Sequence, residues 1–169
     1  MQSNLFFILT FRFIILVLIQ VILLNHINFL GYINPYLYIL FILLYPLNGN
    51  NSLLIFLSFL LGLSIDIFGD SGGIHAAACV FIAYIRPVIL KFSLGVSYEY
   101  NVLKINNIDV RQRIIYISLM VIFHHIVLFL LEIFNIDHIL LVLKSTLFSG
   151  IFSFILILST ISIFSKKSK

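Results

Sequence analysis

Of the 169 residues, 62% are hydrophobic and only 9% charged, too few polar side chains to cover a water-soluble globule of this size, so a bilayer has to act as solvent. The net charge of +4 is carried in loops and at the C-terminal end, where it suits anionic lipid headgroups and implies no nucleic-acid role. Cys79 is the single cysteine, which excludes an internal disulfide and a thiolate metal cluster.

The apolar residues fall into long blocks, not the short alternating runs of an outer-membrane barrel, and a block of about 20 residues crosses the hydrocarbon as a helix. The expected fold class is therefore an all-α polytopic membrane protein of about six transmembrane helices, one domain over residues 1–169. The spans are predicted near 5–25, 30–47, 52–69, 74–91, 113–134 and 139–164. The first block has only Arg12 ahead of or within it and no small-residue cleavage site after it, and is read as a retained helix. The second is the shortest and carries Asn34 and Pro35 near its start, although proline in the first turn of a helix is tolerated.

Positive charge sorts cleanly if both termini are cytoplasmic, because Lys and Arg collect on that side of short loops. Arg86, Lys91, Lys104, Arg111, Arg113 and the C-terminal lysines then fall at or near one face, with Lys144 alone near the other. Asp70, Asp137 and His138 occupy the outward turns. The polar stretch 92–112, with Lys91, Lys104, Arg111 and Arg113 in or beside it, is a solvated connection or a contact loop for a cytoplasmic partner.

An ionisable group at mid-depth costs at least about 2.5–3.5 kcal/mol on insertion scales, so each one asks for a reason. Asp66 lies in Gly62-Leu63-Ser64-Ile65-Asp66, with Gly62 one turn below and Asp70 one turn above it. After the turn Gly69-Asp70-Ser71-Gly72-Gly73, the next helix opens with His75 and Ala76. The stripe Gly72, Ala76, Cys79, Ala83 and the pair Ser58, Gly62 are small-residue faces on which membrane helices approach closely. Two partners for Asp66 are open: the turn itself, through Ser71, His75 and backbone amides, or an ion pair with Lys144. Arg12 and Arg86 lie within snorkelling reach of the cytoplasmic face.

His124 and His125 are adjacent and point apart, which does not suit a metal site, and each is expected as a neutral imidazole bonded to a neighbouring helix. Ser145, Ser149 and Ser153 recur every four residues beside Gly150 and read as a packing face. Glu132 near the end of the fifth span can reach interfacial water. No Gly-x-Ser-x-Gly elbow, His-Glu-x-x-His or phosphate loop occurs, so no catalysis and no cofactor are expected.

From Pro46 through Gly62-Leu63-x-x-Asp66 to Gly73-Ile74-His75-Ala76, the chain resembles the rod shape-determining protein MreD family of the bacterial elongation machinery. The motif covers about a sixth of the chain, and the rest agrees in length and hydropathy. Asp70 and the doubled Gly72-Gly73 depart from the commoner pattern. The resemblance implies a non-enzymatic scaffold of the bacterial cytoplasmic membrane, acting in rod-shape determination and peptidoglycan synthesis. Its implied partners are MreC, the MreB filament, the RodA glycosyltransferase with its penicillin-binding transpeptidase, and membrane lipid. Gly62, Asp66, Gly73 and Ala76 are the positions carried over as the functional core, with Asp70 and His75 beside them. The family is also similar in plan to substrate-capture subunits of energy-coupling-factor vitamin transporters, in which Asp66, Asp70 and His75 would line a ligand pocket. An intramembrane enzyme using Asp66 and His75 is a third alternative.

Overall fold

The computed structural model describes residues 2–29, 31, 33–95 and 109–164. Lys104, most of the 92–112 stretch and the C-terminal lysines Lys166, Lys167 and Lys169 lie outside the described residues. The helices are α1 (Gln2–Ile19), continued by one π-helical turn (Gln20–Leu24), then α2 (Leu40–Leu43), α3 (Asn51–Gly69), α4 (Ile74–Leu94), α5 (Val110–Ile133) and α6 (Ile139–Phe164). Five of these stretches are long and apolar enough to cross a membrane: Phe6–Leu24, Asn51–Gly69, Ile74–Leu94, Val110–Ile133 and Ile139–Phe164. Their outer faces carry exposed Phe7, Phe11, Leu18 and Ile22 on α1, and Leu140, Leu147, Ile151 and Ile155 on α6. Such a surface belongs in lipid.

The long helices begin and end where local chemistry dictates. The Asn50 side chain caps α3 by accepting from the amides of Ser52 (2.9 Å) and Leu53 (3.3 Å), and Asp109 caps α5 by accepting from Arg111 at 3.2 Å. Asp70 ends α3 in the left-handed region, with φ 50°. Gly73, at φ 95°, completes a turn that folds α4 directly back on α3.

Gly62 is the closest meeting point of that hairpin. A Cβ placed there would stand 2.4 Å from the Ala76 Cα and 2.5 Å from the Ala76 nitrogen and the His75 carbonyl oxygen. All three are backbone atoms that cannot step aside, so the small-residue face works here as expected.

The predicted helix over 30–47 does not form. A short antiparallel bridge joins Phe29 to Ile33, the chain then runs extended to about Leu37, and hydrogen-bonded turns from there lead into the single helical turn Leu40–Leu43. The stretch is nonetheless the most deeply buried in the protein: Tyr38, Ile39, Phe41 and Ile42 have no exposed surface. Gly69 lies beside the Asn25 amide, 3.8 Å from where its Cβ would be, so α1 and α3 end side by side and run parallel. The chain between them must therefore return along the bundle before α3 can start. It does so through the middle: Tyr38 meets His75 at the first turn of α4, and Tyr45 meets Arg86 further along the same helix. Those two levels are about 16 Å apart at 1.5 Å per residue of helix.

The close approach at Gly62 is open to a direct test. Gly62→Ala should lower the thermal stability of the detergent-solubilised protein by about 1–3 kcal/mol through overpacking. Gly150→Ala, whose Cβ would sit 4.0 Å from Val121, should leave it unchanged.

Candidate functional site

An unwound segment inside a bilayer has no water to satisfy its backbone, so each N–H and C=O needs a protein partner. Residues 37–45 meet much of this need by their own short-range turns, from the Leu40 amide on the Leu37 carbonyl (2.9 Å) to the Tyr45 amide on the Ile42 carbonyl (3.4 Å); for the extended stretch 34–37 and the carbonyls of residues 43–45 the surrounding helices supply the partners. Ser149 Oγ accepts from the Asn34 amide at 3.2 Å and Ser153 Oγ from the Tyr36 amide at 2.8 Å. Gln20, fully buried, acts as a surrogate strand: its Oε1 accepts from the Leu37 amide at 2.9 Å and its Nε2 donates to the Pro35 carbonyl at 3.0 Å. Its place in a π-helical turn fits the tendency of such turns to mark special sites.

At the other end, the carbonyls beyond α2 are orphaned as at any helix C-terminus, and carry partial negative charge. Arg12 Nη1 donates to the Leu44 carbonyl at 3.0 Å. Arg86 Nη2 donates to the Tyr45 carbonyl, and the Tyr116 hydroxyl to that of Leu43 at 3.3 Å. Arg86 Nε also donates to the Tyr116 hydroxyl at 3.0 Å, and its guanidinium lies 5.9 Å from the centre of the Tyr45 ring. The snorkelling expected of Arg86 is thus overturned, since the side chain is 1% exposed and turned inward to the carbonyls. Arg12 is likewise committed to the segment.

Between these two ends sits a polar cluster. The extended backbone directs Tyr36 and Tyr38 to one side, as alternation requires. There they pack against His75, His124 and His125, with ring centroids 5.4–6.2 Å apart. The Tyr38 hydroxyl bridges His75 Nδ1 (2.7 Å) and His124 Nε2 (2.9 Å). His125 Nδ1 pairs with the Val121 carbonyl at 2.8 Å and its Nε2 with Ser153 Oγ at 3.1 Å. Both histidines are therefore bonded imidazoles, but their main partners lie on the unwound segment and the last helix. Among the described residues no group of three or more His, Cys, Asp and Glu is placed to hold a metal.

Asp66 is 5% exposed. Its Oδ1 accepts from the Ser71 hydroxyl at 2.6 Å and from the His75 amide at 3.0 Å, and its Oδ2 from the Ala76 amide at 2.8 Å. The carboxylate thus caps α4 from the neighbouring helix, where the helix dipole favours a negative charge. The expected pair with Lys144 is not made: the carboxylate is taken up by the α4 N-terminus, and Lys144 is exposed on α6. Asp70 is also exposed and serves as the end of α3. Of the contact-loop residues, Lys91 and Arg111 are exposed and Arg113 half-buried.

No protein-family model, curated protein or solved structure matches this chain. The sequence singled out Gly62, Asp66, Gly73, His75 and Ala76, and these do converge on one hairpin. It gave no role to Gln20, Tyr38 and Tyr116, and a polar or hydroxyl group recurring in apolar runs was the only signal that marked them.

Removing the surrogate strand should be costly. Gln20→Leu leaves the Leu37 amide and the Pro35 carbonyl bare, and should destabilise the protein by about 2–6 kcal/mol, at 1–3 kcal/mol per unsatisfied buried group. Chemical unfolding in detergent measures this. Asp66→Ala should cost about 3 kcal/mol or more by removing three charge-assisted bonds, with faster hydrogen exchange at the His75 and Ala76 amides as the local signature.

Proposed function

We propose that this protein is a non-catalytic scaffold of the bacterial cell-elongation complex, of the MreD type, acting in rod-shape determination and peptidoglycan synthesis at the cytoplasmic membrane. The observation that carries the reading is the α3–α4 hairpin. The residues of the resemblance, Gly62, Asp66, Gly73 and Ala76, all serve its geometry: close backbone approach at Gly62 and Ala76, a turn through Gly73, and the start of α4 held by Asp66. A motif devoted to fixing two helices suits a protein that is read by other proteins. Asp66 is saturated by protein donors, which suits a structural carboxylate better than a proton-transfer group.

The chain crosses the membrane six times on this reading, five times as helix and once as the unwound segment 34–45, with both termini cytoplasmic. Support comes from Lys91, Arg111 and Arg113, which lie at the end of the bundle opposite the α3–α4 turn, as the distribution of basic residues in short loops favours. That end would face the MreB filament. The hairpin and the lipid-facing helices would meet MreC and the RodA glycosyltransferase with its transpeptidase.

Depletion in the native host, followed by microscopy and by crosslinking from the hairpin and the 92–112 stretch, tests the proposal. Rounded cells with crosslinks to MreC or the synthases are expected. Normal rods together with a vitamin-dependent growth defect would replace the scaffold with a transporter subunit. Asp66→Asn cannot cycle a proton and keeps one acceptor oxygen, enough for Ser71 and the His75 amide, while its NH2 faces the Ala76 amide; it should lower stability yet retain part of the shape-determining activity.

A further inference from the structure

At the end of the bundle where α1, α3 and α4 meet, a polar crevice of about 360 Å³ opens between the turn after α1, the α3–α4 turn and the last turns of α5. Its size falls in the range of small-molecule sites. Asn25, Tyr36, Phe68, Ser71, His75 and Glu132 are among the residues that line it, and no Lys or Arg does. The local charge is negative: Glu132 borders the crevice, and Asp66 lies beneath, bonded to the Ser71 hydroxyl. An anion is disfavoured there and a cation favoured. The Phe68 ring, exposed, borders the crevice as well.

His75 supplies the second element. It is 8% exposed, its Nδ1 is bonded to Tyr38, and its Nε2, with no protein partner among the described residues, is on the ring that lines the crevice. Tautomer arithmetic fixes what that nitrogen offers. The single Tyr38 hydroxyl proton serves two imidazoles, and His124 Nδ1 is buried without a partner. If Tyr38 donated to His124, Nδ1 would carry an orphaned buried N–H, which is the rarer and costlier outcome. Tyr38 therefore donates to His75 Nδ1, His124 Nε2 donates to Tyr38, and His75 Nε2 presents an N–H.

We propose that this crevice binds an amino-alcohol group, its ammonium set against Glu132 and its neighbouring oxygen accepting from His75 Nε2. An ethanolamine lipid headgroup and a free amino alcohol share this chemistry. The site does not depend on the scaffold reading and stands or falls separately from it.

The test uses the full chain in nanodiscs of phosphatidylcholine doped equally with phosphatidylethanolamine and phosphatidylglycerol, followed by native mass spectrometry of the retained lipid. A second arm follows thermal unfolding in detergent with added ethanolamine. Preferential retention of phosphatidylethanolamine, by about tenfold for one charge-assisted contact, identifies the lipid as source. Stabilisation by the soluble compound without lipid preference identifies a free amine. Glu132→Gln, at an exposed position, should fold normally and lose either effect by about tenfold. Equal retention with no stabilisation, or a Glu132→Gln protein that behaves as wild type, would overturn the site.

Discussion

The hydrogen bonding of residues 34–45 is the constraint around which the rest of the protein is arranged. A helix satisfies its own backbone, whereas the extended stretch 34–37 and the carbonyls that end the short α2 present bare groups to a medium that offers no partners in return. Each unsatisfied group would cost on the order of 1–3 kcal/mol, and several together would exceed the net stability of a domain this size. Polar residues of α1, α4, α5 and α6 answer this cost: buried Gln20 and half-buried Arg12 on the first, Arg86 on the second, Tyr116 on the third, Ser149 and Ser153 on the last. Four of the five apolar helices are thereby tied directly to the segment that runs between them.

α4 has a special share in this arrangement. Near its start His75 holds Tyr38, and further along Arg86 holds the Tyr45 carbonyl, so one helix grips the segment at two depths. The position of α4 is in turn set by Asp66, which bonds the amides of His75 and Ala76, and by Gly62, which lets α3 lie against Ala76. A carboxylate on α3 therefore fixes the position of an imidazole, and the imidazole fixes a tyrosine on the unwound segment. The hairpin, the histidine cluster and the crevice beside Glu132 form one connected set of contacts. A partner that reads the hairpin face would be reading the packing of the whole interior.

The arginines show why depth alone does not decide the fate of a charge in a membrane protein. Snorkelling is the default for a long basic side chain near an interface, but the C-terminus of α2 offers inward-facing carbonyls with partial negative charge. For Arg86 this competing site lies within reach of a planar guanidinium, which bonds a carbonyl and a phenol together. Lys144, on α6, stays at the surface.

Length, hydropathy and spacing were enough to specify the membrane setting, the five long helices to within a few residues, and the tight α3–α4 hairpin, because these depend on local composition and on residues close together in the chain. Gly62 to Ala76 was legible for that reason: glycine, alanine and an acid at helical spacing meet across a single turn. The state of residues 30–47 was not legible, since its hydropathy is equally that of a helix and of a buried strand, and no period separates the two in so short an apolar run. What decided it was the presence of hydrogen-bonding side chains as far away as Ser149 and Ser153, over a hundred residues along the chain. The choice between Ser71 with the α4 amides and Lys144 as partner of Asp66, and between lipid surface and carbonyl cage for Arg86, was likewise made by tertiary packing. Sequence marks a polar atom that must be satisfied; only the folded arrangement brings it the atom that satisfies it.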